Sequence, residues 1–130
     1  MSTIVWLQPL TLEAIHLAQL SEHGGAVGIR DRGLLETALA KPHQLASYGD
    51  PPPDLCDLAA AYAHGIAHLH PFVDGNKRTS LLALYTFLGV NGVDFIVPEA
   101  EAAAMILALA AGEVNEDGLV RWIRDNWPSQ

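Results

Sequence analysis

The sequence predicts an all-α protein, because of its length, its hydrophobic pattern and its scarcity of strand-like segments. The chain has 130 residues, the size of one domain, and half of them are hydrophobic. Apolar residues recur at helical spacing between glycines and prolines. Only two short segments, 4–7 and 94–97, have the composition of β-strands. We therefore expect one domain over 1–130, a compact helical bundle to which those segments could add a small β-hairpin flap.

Capping residues and helix breakers define the first two helices. Thr11 can cap a first helix, because its hydroxyl can accept a hydrogen bond from the first turn. Asp31 can cap a second helix, which Pro42 should end, since proline lacks the N–H that a helix interior needs. The next segment, 43–54, contains three consecutive prolines, and we interpret it as a surface loop or as a flap over a site.

The third and fourth helices follow closely on each other. Asp54 can cap the third helix, which should stop by His70, because a residue before proline is pushed out of the helical region. The fourth helix should run from near Asn76 to about Val90. Its segment 81–88 is apolar nearly all round, which predicts a central, buried helix.

Two shorter helices complete the predicted bundle. Pro98 suits the start of the fifth, and Glu99 and Glu101 are favourable in its first turn because acidic groups interact well with the helix dipole. Asn115 can cap the sixth helix, which should end before Pro128.

Charge and cysteine content exclude several classes of protein. The chain has 7 Lys and Arg against 15 Asp and Glu, a net charge of −8, so we expect no direct binding to nucleic acid or to an anionic membrane. The single cysteine, Cys56, rules out an intramolecular disulfide framework. No signal-peptide pattern begins the chain and no apolar run is long enough to span a bilayer, so we expect a cytoplasmic protein.

The few positive charges indicate where an anion could bind. Over residues 43–119 the only cations are Lys77 and Arg78, which enter the apolar fourth helix beside Asn76. A helix N-terminus attracts anions, because its first N–H groups are free and its dipole is positive there. Lys77 adds a point charge and Arg78 a planar fork, while Gly75 permits close approach of the backbone to a ligand.

Three further side chains in the same loop would complete an active site. Asp74 offers a hard carboxylate oxygen, the kind of ligand that holds Mg²⁺ together with substrate phosphates. His70 can accept a proton near neutral pH, and Phe72 can anchor the loop in the core. Together these residues indicate phosphoryl or nucleotidyl transfer. The alternative is an ordinary capped loop with a solvated lysine and arginine.

Residues 70–79, His-Pro-Phe-Val-Asp-Gly-Asn-Lys-Arg-Thr, resemble the signature of the Fic superfamily, His-x-Phe-x-(Asp/Glu)-(Gly/Ala)-Asn-(Gly/Lys)-Arg. The lysine before the arginine is most similar to the death-on-curing (Doc) toxins. The resemblance spans about 24–92 and includes the glycines at the start of that range and the pair Asn91-Gly92 at its end.

This resemblance implies a compact helical Fic fold and a bacterial toxin of a toxin–antitoxin system. It implies that His70 deprotonates a target hydroxyl and that Asp74 holds Mg²⁺. It also implies that the phosphates of ATP are bound by Gly75, Asn76, Lys77 and Arg78.

The reaction and the inhibitor are implied in the same way. Most Fic proteins have glycine at the position of Lys77 and transfer AMP to a protein hydroxyl. Doc toxins have lysine and transfer the γ-phosphate of ATP to a threonine of the translation factor elongation factor Tu. Lys77 therefore favours a kinase, with an AMP transferase as the alternative. The chain lacks the Ser/Thr-x-x-x-Glu motif of Fic proteins that inhibit themselves, so we expect a separate antitoxin chain as the inhibitor.

His64 and His68 indicate a different chemistry, because they have the spacing of a two-histidine metal site on a helix. With His70 and Asp74 nearby, a metal-dependent phosphohydrolase is one alternative, although the glutamate typical of that motif is replaced by Gly65. A non-catalytic binding module is another alternative. The remaining histidines are isolated, and we assign no role to His16, His23 and His43.

Overall fold

A computed structural model describes residues 3–129, which form six helices. They are α1 (Pro9–His23), α2 (Arg32–Tyr48), α3 (Leu55–Leu69), α4 (Asn76–Val90), α5 (Glu99–Ala110) and α6 (Glu116–Asp125). Within residues 3–129 the only β-type pairing is an isolated antiparallel bridge between Ile29 and Phe72. The all-α prediction is confirmed, whereas the hairpin expected from 4–7 and 94–97 is not formed. Expectations that concern Met1, Ser2 or Gln130 lie outside the described residues.

Three helices start where a capping side chain was predicted. Asp31 accepts a hydrogen bond from the N–H of Leu34 at 3.0 Å, and Asn115 caps α6 in the same way. Asp54 and Asp57 form a complete capping box, in which each carboxylate accepts from the other residue's N–H, at 3.0 and 2.9 Å. These bonds fix the starts of α2, α3 and α6, because they satisfy N–H groups that a helix leaves free.

The bounds of α1 and α2 differ from the prediction. α1 begins at Pro9 instead of after Thr11, because proline has no N–H to leave unpaired in the first turn. α2 continues through Pro42 to Tyr48, so the surface loop or flap expected over 43–54 is wrong for its first half. The proline is tolerated because it packs on the buried face of α2, which also contains Leu35, Ala38 and Leu39.

The central helix is α3, which packs against α2, α4, α5 and α6. Ten of its residues are buried, including the run 59–63, in which four of the five residues are alanine. These small side chains let neighbouring helices approach from several directions. α4, which the sequence placed at the centre, buries one face only and leaves Leu82 37% exposed. None of the helices in residues 3–129 is long and apolar enough to cross a membrane.

Segment 4–7 packs on the bundle without a strand partner. The side-chain amide of Asn91 accepts from the N–H of Val5 and donates to its carbonyl, both at 2.9 Å. The hydroxyl of Tyr62 accepts from the N–H of Leu7 at 3.1 Å. Side chains therefore satisfy backbone groups that a second strand would otherwise have paired.

Candidate active site

The junction between α3 and α4 has an uncommon backbone conformation. α3 ends at His70, whose φ of 51° and ψ of 58° lie in the left-handed region. Within residues 3–129, His70 is the only residue other than glycine with a positive φ. Such a residue persists only where its surroundings enforce the conformation, and these positions concentrate at functional sites. The His70 side chain is exposed at this junction.

Arg30 holds the backbone of this junction. Its Nε donates to the carbonyl oxygen of His70 at 2.7 Å, and its Nη2 donates to that of Leu69 at 2.8 Å. Both bonds are charge-assisted and lie at a helix C-terminus, where a cation is favourable. Arg30 is 40 positions from His70, so local sequence patterns give no sign of this contact.

The segment beside the junction is 24–31, which we call the flanking segment. Its Arg30 N–H donates to the carbonyl of Pro71 at 2.7 Å, and its Gly28 carbonyl accepts from the N–H of Val73 at 3.0 Å. These bonds surround the bridge between Ile29 and Phe72. The part of the chain that lies along the motif is thus 24–31, and not the predicted flap segment 43–54.

His16 supports the loop from α1. Its side chain is 3% exposed, and its Nε2 donates to the carbonyl oxygen of Asp74 at 2.8 Å. Its ring stacks on that of Phe72, with centroids 3.8 Å apart and an interplanar angle of 10°. Phe72 itself is 1% exposed, in the core. The sequence assigned no role to His16, although its helical spacing from the buried Leu12 marks the inward face of α1.

Asn76 uses both atoms of its side-chain amide to hold the loop. Its Oδ1 accepts from the N–H of Phe72 at 3.0 Å, and its Nδ2 donates to the carbonyl of the same residue at 2.9 Å. The side chain of Asn76 therefore positions the turn. What this position offers to an anion is its backbone N–H at the start of α4.

Asp74 presents an exposed carboxylate at the same turn. Its Oδ1 accepts from the N–H of Gly75 at 3.0 Å, and its Oδ2 accepts from the N–H of Ala26 at 3.3 Å. Each oxygen keeps a lone pair free for a cation. Within residues 3–129 no group of three or more His, Cys, Asp or Glu side chains could hold a metal ion. The donor set thus fits Mg²⁺, which is typically bound by one or two carboxylates together with water and substrate phosphates.

The N-terminus of α4 is open to an anion. Gly75 precedes it with a φ of 75°, and no side chain caps it. Lys77 and Arg78 are exposed there, and neither forms an ion pair with any residue of the described part. Several other cations are already engaged, either with carboxylates or with carbonyls: Arg30, Arg32, Lys41 and Arg124.

His64 and His68 do not form a metal site. The Nδ1 of His64 lies 3.2 Å from Oε1 of Glu116, and the two imidazole rings stack in parallel with centroids 5.4 Å apart. The hydrogen bond with His64 lowers the pKa of Glu116, although burial opposes the shift. His64 therefore contacts α6 and His68 stacks on His64, and the phosphohydrolase alternative has no ligand set in residues 3–129.

Cys56 does not supply a reactive thiol. It is buried near the start of α3, and this burial raises its pKa to about 11. The thiol therefore stays protonated near neutral pH, as expected of a small core residue.

Comparison with known proteins tests the family resemblance of the motif. Residues 6–88, which include the whole motif at 70–79, match the model of the Fic/DOC family. The Toxin Doc of Mycolicibacterium smegmatis is 49% identical over 83 residues, which cover 60% of this chain and 63% of that protein, less than two thirds of its length. The Protein kinase doc of Escherichia phage P1 is 31% identical over 118 residues, which cover 91% of this chain and 92% of that protein. The resemblance found in the sequence is thereby confirmed: the chain belongs to the Fic/DOC family.

Proposed function

We propose that this chain is the toxin of a toxin–antitoxin system and transfers the γ-phosphate of ATP to a Thr or Ser hydroxyl of a translation factor. By resemblance, that factor is elongation factor Tu. The observation that carries the proposal is the uncapped N-terminus of α4, where Lys77 and Arg78 form no ion pair within residues 3–129 and follow the exposed Asp74 and His70 in the same loop. The names Toxin Doc and Protein kinase doc, given to two relatives, support it.

The phosphates of ATP would bind at the start of α4. The N–H groups of Asn76, Lys77 and Arg78 lie in its first turn, where a helix leaves them without intrahelical partners. Lys77 contributes a point charge and Arg78 a bidentate fork. Gly75 keeps the backbone accessible, because it has no side chain.

Asp74 would hold Mg²⁺ together with those phosphates. When bound, the ion neutralises negative charge on the phosphate groups and so lowers the barrier to transfer. The protein's own contribution is to fix the carboxylate, through its bonds to the N–H groups of Gly75 and Ala26.

His70 is the proposed general base. It takes the proton of the target hydroxyl as the hydroxyl oxygen bonds to the γ-phosphorus, while the bond to the β–γ bridging oxygen breaks and ADP leaves. Arg30 holds the backbone from which the imidazole extends, through its bonds to the carbonyls of His70 and Leu69.

Lys77 supports transfer of the γ-phosphate over transfer of AMP. A glycine at this position would leave space for the α-phosphate of ATP at the helix N-terminus, whereas a long cation fills that space. An AMP transferase built on the same residues is the second candidate. It differs only in which phosphorus atom faces the hydroxyl.

The reaction is tested by incubating the purified chain and elongation factor Tu with ATP labelled at either the α- or the γ-phosphate. We expect label on the factor from the γ-position only. Label from the α-position only would establish the AMP transferase instead, and label from neither would favour another target or a binding module.

Two matched histidine variants test the base in the same assay. We expect His70→Ala to lower the transfer rate at least about 100-fold, the usual contribution of a general base, and to bind ATP as the unmodified chain does. His68→Ala, which removes an exposed histidine two positions earlier, should keep the rate. A fully active His70→Ala protein would rule out this assignment.

The proposed partner is a separate antitoxin chain that inhibits the toxin in the cytoplasm. We expect expression of the chain alone to arrest growth of a bacterial host, and co-expression with the small protein encoded beside it to restore growth. Arrest that persists when both proteins are made in equal amounts would exclude that neighbour as the inhibitor.

A further inference from the structure

Within residues 3–129, the unpaired buried polar atoms of side chains belong to two residues, Gln19 and Thr79. Three buried side-chain atoms lack a hydrogen-bond partner: Nε2 and Oε1 of Gln19 and Oγ1 of Thr79. Gln19 is 2% exposed and Thr79 is fully buried. A side chain built on Gly75 would collide with Nε2 of Gln19, and Thr79 lies one helical turn after Gly75. The Gln19 amide therefore lies against the turn that opens α4, and Thr79 lies one turn further along the same helix.

Unpaired atoms at this position are informative, because folded proteins pair nearly all of their buried polar groups. The neighbouring residue His16 shows that α1 can pair a buried polar side chain with this loop, since its Nε2 donates to the carbonyl of Asp74. Gln19 lies one turn later on the same buried face of α1 and pairs with nothing in residues 3–129. Burial against the loop alone does not explain the unpaired amide.

We propose that Gln19 is a further phosphate-binding residue, whose Nε2 donates a hydrogen bond to a phosphate oxygen of the nucleotide held at the start of α4. The inference rests on the proposed function, which places a nucleotide there. The amide lies against Gly75, the residue that directly precedes the first turn of α4, and no side chain caps that turn. A neutral donor suits this position, because it binds an anionic oxygen and needs no buried counter-charge in the free protein.

The same contact explains why residue 75 is glycine. Its φ of 75° disfavours any other residue, and the space that a Cβ would occupy is filled by the amide of Gln19. The packing of α1 against α4 therefore holds the Gln19 amide against the turn at Gly75.

Titration calorimetry with ATP and Mg²⁺ tests the proposal on the whole chain. Gln19→Met keeps the length of the side chain and removes its donor, so we expect ATP to bind about tenfold more weakly. The free variant should melt at the same or a higher temperature than the unmodified chain, because an apolar group replaces an unpaired amide. A variant that lowers affinity without lowering stability separates ligand binding from a packing role.

Two further variants complete the test. Gln44→Met makes the same change on the exposed surface of α2 and should alter neither measurement. Gln19→Glu keeps the shape but cannot donate when ionised and repels phosphate, so it should weaken binding more than Gln19→Met does.

Each contrary outcome has a distinct meaning. If Gln19→Met binds ATP as tightly as the unmodified chain does, the inference is wrong and the proposed function stands. A lower melting temperature for Gln19→Met would show that the amide is bonded in the free protein, which also overturns the inference. If the folded, unmodified chain binds no ATP, the proposed function fails, and the inference fails with it.

Discussion

The N-termini of α3 and α4 differ in how their N–H groups are used, although each helix has 15 residues. At α3, Asp54 and Asp57 form a capping box, and Arg124 pairs with Asp54 at 3.1 Å. At α4, Gly75 provides no cap, and the nearby cations have no carboxylate partner in the described residues. The same backbone groups therefore donate to a side-chain cap that stabilises the fold at one helix and have no side-chain cap at the other.

The largest effect is expected at the uncapped N-terminus of α4. Lys77→Ala should weaken ATP binding about 10- to 100-fold, because it removes a charged donor from the proposed phosphate site. The melting temperature should hardly change, since Lys77 is exposed and forms no ion pair within the described part. Calorimetry and thermal unfolding of the same sample measure both quantities.

Arg121→Ala is the matched control for Lys77→Ala, because it removes an exposed cation from α6. If Lys77→Ala bound ATP as tightly as Arg121→Ala does, the proposal that the start of α4 binds phosphate would be wrong.

A smaller effect is expected at the C-terminus of α3, which enters the same junction. Arg30→Ala removes both bonds to the carbonyls of Leu69 and His70, so we expect kcat to fall about tenfold while ATP affinity stays the same. Steady-state kinetics of phosphate transfer, together with calorimetry, separate these two quantities.

Arg32→Ala provides the control for Arg30→Ala, since Arg32 forms only an exposed pair with Glu13 at 3.7 Å. We expect it to keep full activity. A drop in ATP affinity for Arg30→Ala equal to its drop in kcat would contradict a role limited to positioning His70.

The smallest effect is expected at the capped N-terminus of α3, and it should appear in stability alone. Asp54→Ala removes the cap of α3 and should lower the free energy of unfolding by about 1–2 kcal/mol. ATP should bind as before, because α4 and its first turn are unchanged. Chemical denaturation measures the first expectation and calorimetry the second.

Asp94→Ala, at an exposed carboxylate outside the helices, should leave the free energy of unfolding unchanged. Loss of ATP binding in Asp54→Ala would show that the N-termini of α3 and α4 are coupled, which would contradict their separate roles in stability and binding.

The sequence alone determined the features that depend on near neighbours. Asp31, Asp54 and Asn115 cap helices through N–H groups three residues away, so their effect is visible in a short window. The motif residues 70–79 are contiguous for the same reason, because one turn and the first residues of one helix carry the charges and the carboxylate. The all-α class, the start of α4 and the candidate anion site could therefore be predicted.

Only the tertiary structure decided which distant residues support that site. His16 reaches Asp74 across 58 positions and Arg30 reaches His70 across 40, and no local pattern encodes such pairs. Burial also overrode local propensity, since Pro42 continues α2 where proline normally ends a helix. Capping depends on atoms a few residues apart, whereas packing depends on which helix faces meet. The residue types of 70–79 thus define the motif, whereas the packing of α1 and of the flanking segment 24–31 fixes its position.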